Sequence, residues 1–501
     1  MKVWWGSMRG RAAVAALSLA VGACHREPVA PVQDAVPDAG PEDGACTPLP
    51  FSAGLELGGD QTSICDTDPA ACASPCANGP LTETWSAFAV EPFVEDVQQI
   101  NFGDSLVDDA GDVFFATCEA RTAFGFRICG LSSLTAGGDL HSTVNVSGIF
   151  SDSGLKIQAS LRYRQWIILA LSGANLGGSV AIFAQSTEDP RQKWSLALPN
   201  AGVIRLHADL LHERIVGVIN DANRGAVVIQ LDPSNGLPVS RHPLGKLAIE
   251  SVLDSEGNNY VALASADWQS GFGSVEVVAL DAAGCVRWRN EQAWHGPRDA
   301  SIRAVSGGLI VAFGNQVLRA DSGDHLYDLP ADLSSVVLGA TDGIGLSGAL
   351  SPNFNDEQTR AGNLSVFGFS RAAGQLQWRL DLPVGSVKSP PVLTSRDTFL
   401  FTTIEGAKQD VAMLREVTRG GRQLWQCALP IETRGGYLDG AAFSADRLLT
   451  ANVTYVAGRN GPATVPGILV RAFDLGQPLA PASRGWVMSG GNPNRGGQPQ
   501  P

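Results

Sequence analysis

Long hydrophobic and amphipathic runs are missing from this chain of 501 residues. Charged residues make up only 17% of it, and no long stretch has the alternation of polar and apolar faces that is typical of a surface helix. The apolar run at residues 12–23 is too short to span a bilayer as a permanent helix. The sequence therefore predicts a protein to which helices contribute little.

Common catalytic motifs are absent as well. There is no Gly-x-Ser-x-Gly elbow, no His-Glu-x-x-His zinc motif, no phosphate-binding loop and no Cys-x-x-Cys pair. Of the seven histidines, only His207 and His212 are spaced as two ligands could be, and we interpret them as a surface pair beside a turn. The sequence identifies no catalytic residue and predicts no metal site.

A short phrase recurs along the chain, with glycine four residues before an aromatic residue. Clear copies occupy residues 281–288, 370–378 and 418–425, each after an apolar or alternating run. Residues 189–194 have proline in place of the glycine, and residues 321–327 have Tyr327 as the aromatic residue. An apolar strand, a glycine-containing turn and a second strand predict a β-hairpin.

Fainter copies extend the repeat, although the copy that ends at residue 240 loses the aromatic residue. The equivalent positions are then 142, 194, 240, 288, 327, 378, 425 and 480, about 48 residues apart, the length of a four-stranded propeller blade. We therefore predict an all-β fold over residues 81–480, an eight-bladed β-propeller of four-stranded antiparallel blades. Trp85 opens a strand with no blade before it, and the last blade lacks an outer strand. This N-terminal strand is predicted to close the ring.

The repeated phrase resembles the repeat of the quinoprotein-like β-propellers, also called pyrroloquinoline quinone (PQQ)-like repeat proteins. Residues 485–497 also resemble a phrase that borders such propellers. The resemblance implies that the aromatic ring packs between neighbouring blades, where a large flat ring fills a wedge-shaped gap. The residues expected in this structural role are Trp85, Trp194, Trp288, Tyr327, Trp378 and Trp425.

The N-terminus is typical of an export signal over residues 1–23, with Lys2, Arg9 and Arg11 before the apolar run. Residues 21–24, Val-Gly-Ala-Cys, resemble a bacterial lipobox, which implies lipidation of Cys24 and anchoring to the cell envelope. A cleaved signal with an incidental cysteine is the alternative. His25, rather than aspartate, favours the outer membrane.

Residues 24–45 are rich in proline, alanine and acidic residues, which predicts a disordered tether. Loss of residues 1–23 would change the formal net charge from −14 to −17, because three basic residues and no acidic residue are removed. This charge argues against nucleic acid or an anionic membrane surface as a partner. Residues 481–501 form a C-terminal tail after the propeller.

Cysteines are expected to form disulfides in an exported chain. For Cys46, Cys65, Cys72 and Cys76 in the loop segment 46–80 we expect disulfides, with a zinc knuckle as the alternative. Cys118 and Cys129 flank a strand–turn–strand pattern and are predicted to pair with each other. Cys285 and Cys427 are expected to be small buried thiols.

Acidic residues and glycine also recur at turns between predicted inner strands, as at Asp108 and Asp254. The spacing of an EF-hand calcium loop is missing, so we interpret these residues as turn formers.

The relatives implied by the resemblance fall into two classes. Some are dehydrogenases that hold PQQ and calcium in the central channel, and one branch uses a vicinal Cys-Cys disulfide. Haem-bearing relatives carry Cys-x-x-Cys-His, and this chain has neither feature. Others are scaffolds without catalysis. We therefore expect a lipid-anchored scaffold or binding module for envelope proteins that needs no cofactor, with a PQQ-dependent dehydrogenase as the alternative.

Overall fold

The structure is a computed structural model. It describes residues 65, 73–76, 81–90, 97–102, 106–107, 110–121, 126–145, 156–172, 180–265, 274–293, 302–306, 308–313, 315–329, 335–338, 342–347, 362–387, 391–394, 396, 398–405, 411–430, 440–444, 447–457 and 464–476. The predicted signal peptide, tether and tail lie outside these residues, as do Cys24, Cys46 and Cys72.

Every element in the described part of the chain is a β-strand. β1 (Thr82–Val90) comes before the first blade. Blade 1 contains β2 (Val97–Phe102), β3 (Leu106–Val107), β4 (Val113–Arg121), β5 (Phe126–Leu134) and β6 (Leu140–Asn145), and blade 2 contains β7 (Lys156–Tyr163), β8 (Trp166–Ser172), β9 (Val180–Ser186) and β10 (Lys193–Leu198). Blade 3 contains β11 (Ala201–Asp209), β12 (Arg214–Asp221), β13 (Gly225–Leu231) and β14 (Pro238–Pro243), and blade 4 contains β15 (Leu247–Leu253), β16 (Asn259–Ala264), β17 (Ser274–Leu280) and β18 (Val286–Ala293).

The remaining strands form the second half of the ring. They are blade 5 with β19 (Ile302–Ser306), β20 (Leu309–Ala312), β21 (Gln316–Arg319) and β22 (His325–Asp328); blade 6 with β23 (Ser335–Leu338), β24 (Asp342–Ser347), β25 (Gly362–Ser370) and β26 (Leu376–Val387); blade 7 with β27 (Val392–Leu393), β28 (Thr398–Glu405), β29 (Val411–Thr418) and β30 (Gln423–Ala428); and blade 8 with β31 (Gly440–Ser444), β32 (Arg447–Ala457) and β33 (Thr464–Asp474).

The predicted fold class is confirmed, because the described strands form eight antiparallel blades arranged as a propeller. Blades 6 and 7 share one hydrogen-bonded sheet, since the end of β26 pairs with β28. None of the described residues forms a helix long and apolar enough to cross a membrane.

Ring closure involves both ends of the propeller. β1 pairs antiparallel with β33, and the last sheet has the order β1-β33-β32-β31. The N-terminal strand therefore supplies the fourth strand of blade 8, which is consistent with the predicted closure. This pairing covers the edge of β33, which would otherwise be open.

A β-bulge accompanies the repeated phrase in most blades. In blade 4, Gly284 lies in the turn, Val286 pairs with Leu280, and Trp288 pairs with Ala279, so Arg287 is an extra residue. A bulge of this kind re-aims the next side chain. Equivalent register shifts occur in blades 1, 3, 5, 6 and 7. Blade 2, with Pro190 in place of glycine, has a continuous register.

The hydrophobic core lies between the blades. One cluster joins Val113 and Phe115 of blade 1 to Leu449 and Val470 of blade 8. Other clusters join blades 1 and 2, blades 2 and 3, blades 3 and 4, blades 4 to 6, and blades 6 to 8. Each sheet is therefore apolar on both faces, as the nearly continuous burial of strands such as β9 and β28 shows.

The first strands of neighbouring blades lie side by side, β7 with β11, β11 with β15, β15 with β19, and β19 with β23. These strands line the axis of the ring. The ends of the blades where strand 1 turns into strand 2 and strand 3 into strand 4 lie on one side, which we call the turn face.

Candidate functional site

Five of the six predicted packing aromatics contact a glycine in the turn of the next blade. The ring of Trp288 lies against Gly323, and its Nε1 donates a 2.9 Å hydrogen bond to the carbonyl oxygen of Ala320. We call this contact an aromatic junction. The same contacts join Trp85 to Gly138 and Ala136, Trp194 to Gly236 and Pro233, Tyr327 to Gly374 and Arg371, and Trp378 to Gly421 and Arg419.

Blade 3 also has a ring at its junction. The sequence suggests that the aromatic residue is lost at Ser240, but the imidazole of His242, two residues later, covers Gly284 of blade 4. Its Nε2 lies 2.9 Å from the hydroxyl of Ser240. Burial lowers the pKa of His242, Asp281 opposes this shift, and Arg214 adds to it. The repeat thus lacks an aromatic residue at position 240, and the imidazole of His242, on the same face of β14, takes its place.

Trp425, the sixth predicted aromatic, is buried but differs from the others. Its N–H lies beside the carboxylate of Glu416 in its own blade without forming a well-aligned hydrogen bond. Burial raises the pKa of Glu416, while hydrogen bonds such as that from Thr398 partly oppose the shift.

The structure joins Cys118 and Cys129, which face each other on β4 and β5, in a disulfide with a Cα–Cα distance of 4.0 Å. The expectation that Cys427 and Cys285 are free thiols is wrong. Cys427 is bonded to Cys76, and Cys285 is disulfide-bonded as well. The sequence could not show the first pairing, because its partners are 351 residues apart.

His207 and His212 do not form a surface pair. His207 lies on β11 with 2% of its surface exposed, and its Nε2 is 2.6 Å from the hydroxyl of Ser251 in blade 4. His212 lies in the following turn, where its Nδ1 contacts the buried carboxylate of Asp209. The predicted turn is present at residues 210–213, but His207 already belongs to β11.

The turn at Asp254 is held by its own side chain. Oδ1 accepts hydrogen bonds from the backbone N–H groups of Glu256 and Asn258, and Oδ2 accepts from the hydroxyl of Tyr260 at 2.9 Å. Burial raises the pKa of Asp254, whereas these hydrogen bonds lower it. This carboxylate therefore works as a turn former, as interpreted from sequence. Residues 108 and 109 lie outside the described part of the chain.

No group of three or more His, Cys, Asp or Glu side chains within the described ranges is arranged to hold a metal ion.

A cluster of exposed aliphatic side chains marks the turn face of blade 3. Four of the nine exposed large hydrophobic side chains in the described ranges belong to it: Leu210, Leu211, Leu237 and Val239. Leu211 and Val239 are 59% and 68% exposed. Leu210 and Leu211 lie in the turn after β11, Leu237 lies in the turn before β14, and Val239 lies at the start of β14. Because Ile215 pairs with Leu231, the two turns leave the sheet at the same end. We call these four residues the blade 3 patch. Exposed apolar patches of this kind commonly mark interaction sites.

Hydrogen bonds fix the backbone beneath the blade 3 patch. Asp232 accepts hydrogen bonds from the backbone N–H and the hydroxyl of Ser234, and these lower the pKa of its carboxyl. In the other turn, Asp209 is fully buried and accepts a 2.8 Å hydrogen bond from Nε of Arg214. Both turns are therefore pre-organised, which limits the entropy cost of binding.

Charged residues of both signs border the patch. Glu213 forms a 2.6 Å ion pair with Arg164 of blade 2. Burial raises the pKa of the neighbouring Tyr163, Arg164 lowers it, and the carboxylates of Glu213, Asp209 and Asp232 raise it further. The patch thus combines aliphatic side chains with the carboxylate of Asp232, whereas Glu213 is paired with Arg164. In the sequence, the patch is indicated only by Leu210 and Leu211, an apolar pair inside a polar turn.

The axis of the ring has its own repeated feature. The first strands of blades 1 to 5 each carry a register shift close to their start, with extra residues Gln98, Gln158, Ile204, Ile249 and Arg303. Arg205 directly follows the bulge in blade 3, and Glu250 directly follows the bulge in blade 4. Nε of Arg205 donates a 2.7 Å hydrogen bond to the carboxylate of Glu250. This ion pair links blades 3 and 4 near the axis.

No protein-family model matches the sequence, and a comparison with curated proteins finds no match. The fold is similar to several solved structures. The C-terminal WD40 domain of Sif2 is 9% identical, with 78% of this chain and 98% of that chain covered and a TM-score of 0.45. Sqt1 of Chaetomium thermophilum is 11% identical, with 79% and 98% covered and a TM-score of 0.45.

An enzyme is also among the similar structures. Quinohemoprotein alcohol dehydrogenase from Comamonas testosteroni is 11% identical, with 79% of this chain and 77% of that chain covered and a TM-score of 0.44. WD40 propellers and a quinohemoprotein are thus both similar to this chain, and the likeness concerns the fold alone.

Proposed function

We propose that this protein is a lipid-anchored binding module of the cell envelope, which holds a partner protein on the turn face of its propeller. The blade 3 patch carries the proposal, because it gathers four exposed aliphatic side chains in two rigid turns and at the start of β14. Propeller loops that leave one face of the ring are a common place for protein recognition.

The chemistry of the patch indicates the kind of partner. Aliphatic side chains next to Asp232 favour a segment that carries aliphatic residues together with lysine or arginine. The formal net charge of the whole chain, −14, would draw a basic partner towards it.

Two features support a place in the envelope. The export signal at residues 1–23 and the lipobox-like residues before Cys24 predict secretion and a lipid anchor. The folded body contains disulfides, including Cys76–Cys427 and Cys118–Cys129, which persist in oxidising compartments.

Site-specific photo-crosslinking in intact cells tests the partner surface. A crosslinking amino acid at Leu211 or at Val239 should capture the same discrete protein. Val411 is the control, because it is 44% exposed but lies at the opposite end of its blade. Leu210→Asp should abolish the crosslink at Val239. Absence of a common product at 211 and 239, or the same product at 411, would refute the surface.

Fractionation tests the anchor. Cys24→Ser should release the protein from membranes, and unchanged membrane retention would contradict lipidation at this residue. The dehydrogenase alternative is tested by adding PQQ and calcium to the soluble body lacking residues 1–45. A thermal shift of many degrees would show specific binding and would replace the scaffold proposal.

A further inference from the structure

The junction between blades 7 and 8 is built differently from the aromatic junctions. Trp425 remains beside Glu416 in its own blade. Gly476, which follows the third strand of blade 8, approaches Pro75, an N-terminal residue, rather than an indole ring. A segment from before β1 therefore takes the place that a ring occupies elsewhere.

Three further contacts hold this segment against blade 7. Nη2 of Arg422, in the turn before β30, donates a 3.3 Å hydrogen bond to the carbonyl oxygen of Cys65. Cys76 is bonded to Cys427 on β30, with a Cα–Cα distance of 5.7 Å. Leu81, just before β1, is buried in the core cluster that includes Leu414 and Trp425. The segment thus spans from blade 7 to the start of β1.

The Cys76–Cys427 bond has a consequence for the whole ring. It joins residues 351 positions apart and closes a covalent loop that contains β1 and blades 1 to 7. The three C-terminal strands of blade 8 lie between blade 7 and blade 1, and β1 is the outer strand of their sheet. The disulfide therefore ties the segment just before this outer strand to blade 7. Among the described residues, the other contacts that close the ring at this point are hydrogen bonds between β1 and β33 and side-chain packing.

We propose that the Cys76–Cys427 disulfide is a clasp that keeps the propeller closed, so that the closed ring depends on an oxidising environment. A dithiol reductant would open the clasp by thiol–disulfide exchange. The bond between the two sulfur atoms breaks, Cys76 and Cys427 gain two electrons and two protons as thiols, and the dithiol is oxidised to its own disulfide. β1 is then free to separate from β33. The proposal is independent of the partner surface on blade 3.

Hydrogen exchange followed by mass spectrometry tests the clasp. In Cys427→Ser, the amides of β1 and β33 should exchange at least tenfold faster than in the wild type, while those of blades 3 to 5 keep their protection. The matched control is Cys118→Ser/Cys129→Ser, because that disulfide lies within blade 1 and spans only 11 residues. It should leave β33 protected.

A second measurement, on the wild-type protein, tests the clasp even if the Cys427→Ser variant does not fold. The folded wild-type protein is treated with dithiothreitol, the thiols of Cys76 and Cys427 are identified by alkylation, and exchange is measured at the same time points. Accelerated exchange confined to β1 and β33, appearing together with the two thiols, supports the clasp. Unchanged exchange in these strands after reduction, or an equal increase in every blade, would overturn it.

Discussion

Trp288 and Gly323 show how one blade is fixed to the next. The indole lies so close to the glycine that a methyl group on Gly323 would come within 2.6–2.9 Å of three ring atoms. The N–H of the same ring donates to the carbonyl oxygen of Ala320 in the same turn. The repeated phrase therefore contains both halves of the contact. Its aromatic residue packs against the glycine of the next blade, and its glycine contacts the aromatic ring of the previous blade.

Gly323→Ala should destabilise the protein through two effects. Gly323 has φ +76°, which costs alanine about 1–2 kcal/mol, and the clash with Trp288 should add about 1–3 kcal/mol. Gly308→Ala separates the two effects, because Gly308 has φ +77° and nothing lies within 4 Å of its added methyl group. Scanning calorimetry should show the larger loss for Gly323. Equal losses of stability would mean that the Trp288 ring moves aside at no cost in free energy.

The hydrogen bond of the aromatic junction can be tested separately from its packing. Trp288→Phe keeps a ring but leaves the carbonyl oxygen of Ala320 without its indole donor, a loss of about 1–3 kcal/mol. Trp288→Ala should cost about 3–5 kcal/mol. Trp425→Phe is the control, because the Trp425 N–H makes no well-aligned hydrogen bond. A loss for Trp425→Phe as large as that for Trp288→Phe would contradict this account of the junction.

His242 should make stability depend on pH. Burial lowers the pKa of His242 in the folded protein, whereas an unfolded histidine titrates near 6.5. The unfolded chain therefore binds the proton more readily, and stability should be full above about pH 6.5 and fall as the pH decreases towards the folded pKa. His242→Phe keeps a ring over Gly284 and removes the proton site.

The measurement for His242 is the denaturation midpoint of both proteins between pH 7.5 and pH 5. The wild type should lose more stability than His242→Phe over this interval. Parallel curves for the two proteins would exclude a contribution from this imidazole, because the other histidines are the same in both proteins.

The Cys118–Cys129 disulfide should make a local contribution. It closes a short loop within one hairpin, for which the loss of chain entropy in the unfolded state gives at most about 3 kcal/mol. Cys118→Ser/Cys129→Ser should therefore lower the melting temperature by less than Cys76→Ser/Cys427→Ser, whose loop is far longer. Calorimetry of both double variants under non-reducing conditions checks this order. The reverse order would show that native-state strain outweighs loop length.

The repeat could be predicted because its physical basis is local. A glycine turn, a bulge and an aromatic residue follow within a few positions, so the copies at 281–288, 370–378 and 418–425 appear in the sequence as they appear in the blades. Cys118 and Cys129 could be paired for the same reason, since they belong to one hairpin.

Most of the candidate site could not be predicted from the sequence. Leu210 and Leu211 stand out as an apolar pair in a turn, but only the pairing within blade 3 places Leu237 and Val239 at the same end of the sheet. Burial of His207 and the ring of His242 over Gly284 likewise depend on which blade lies alongside.

The sequence by itself determined the blade, the number of blades and the expected closure of the ring, because hairpin chemistry and spacing act over a few residues. The tertiary structure alone decided that Cys76 meets Cys427, that His242 replaces a missing ring, and that blade 3 exposes its aliphatic side chains. Those outcomes depend on contacts beyond a single hairpin: strand pairing within blade 3, packing of blade 3 against blade 4, and, for Cys76 and Cys427, closure of the ring.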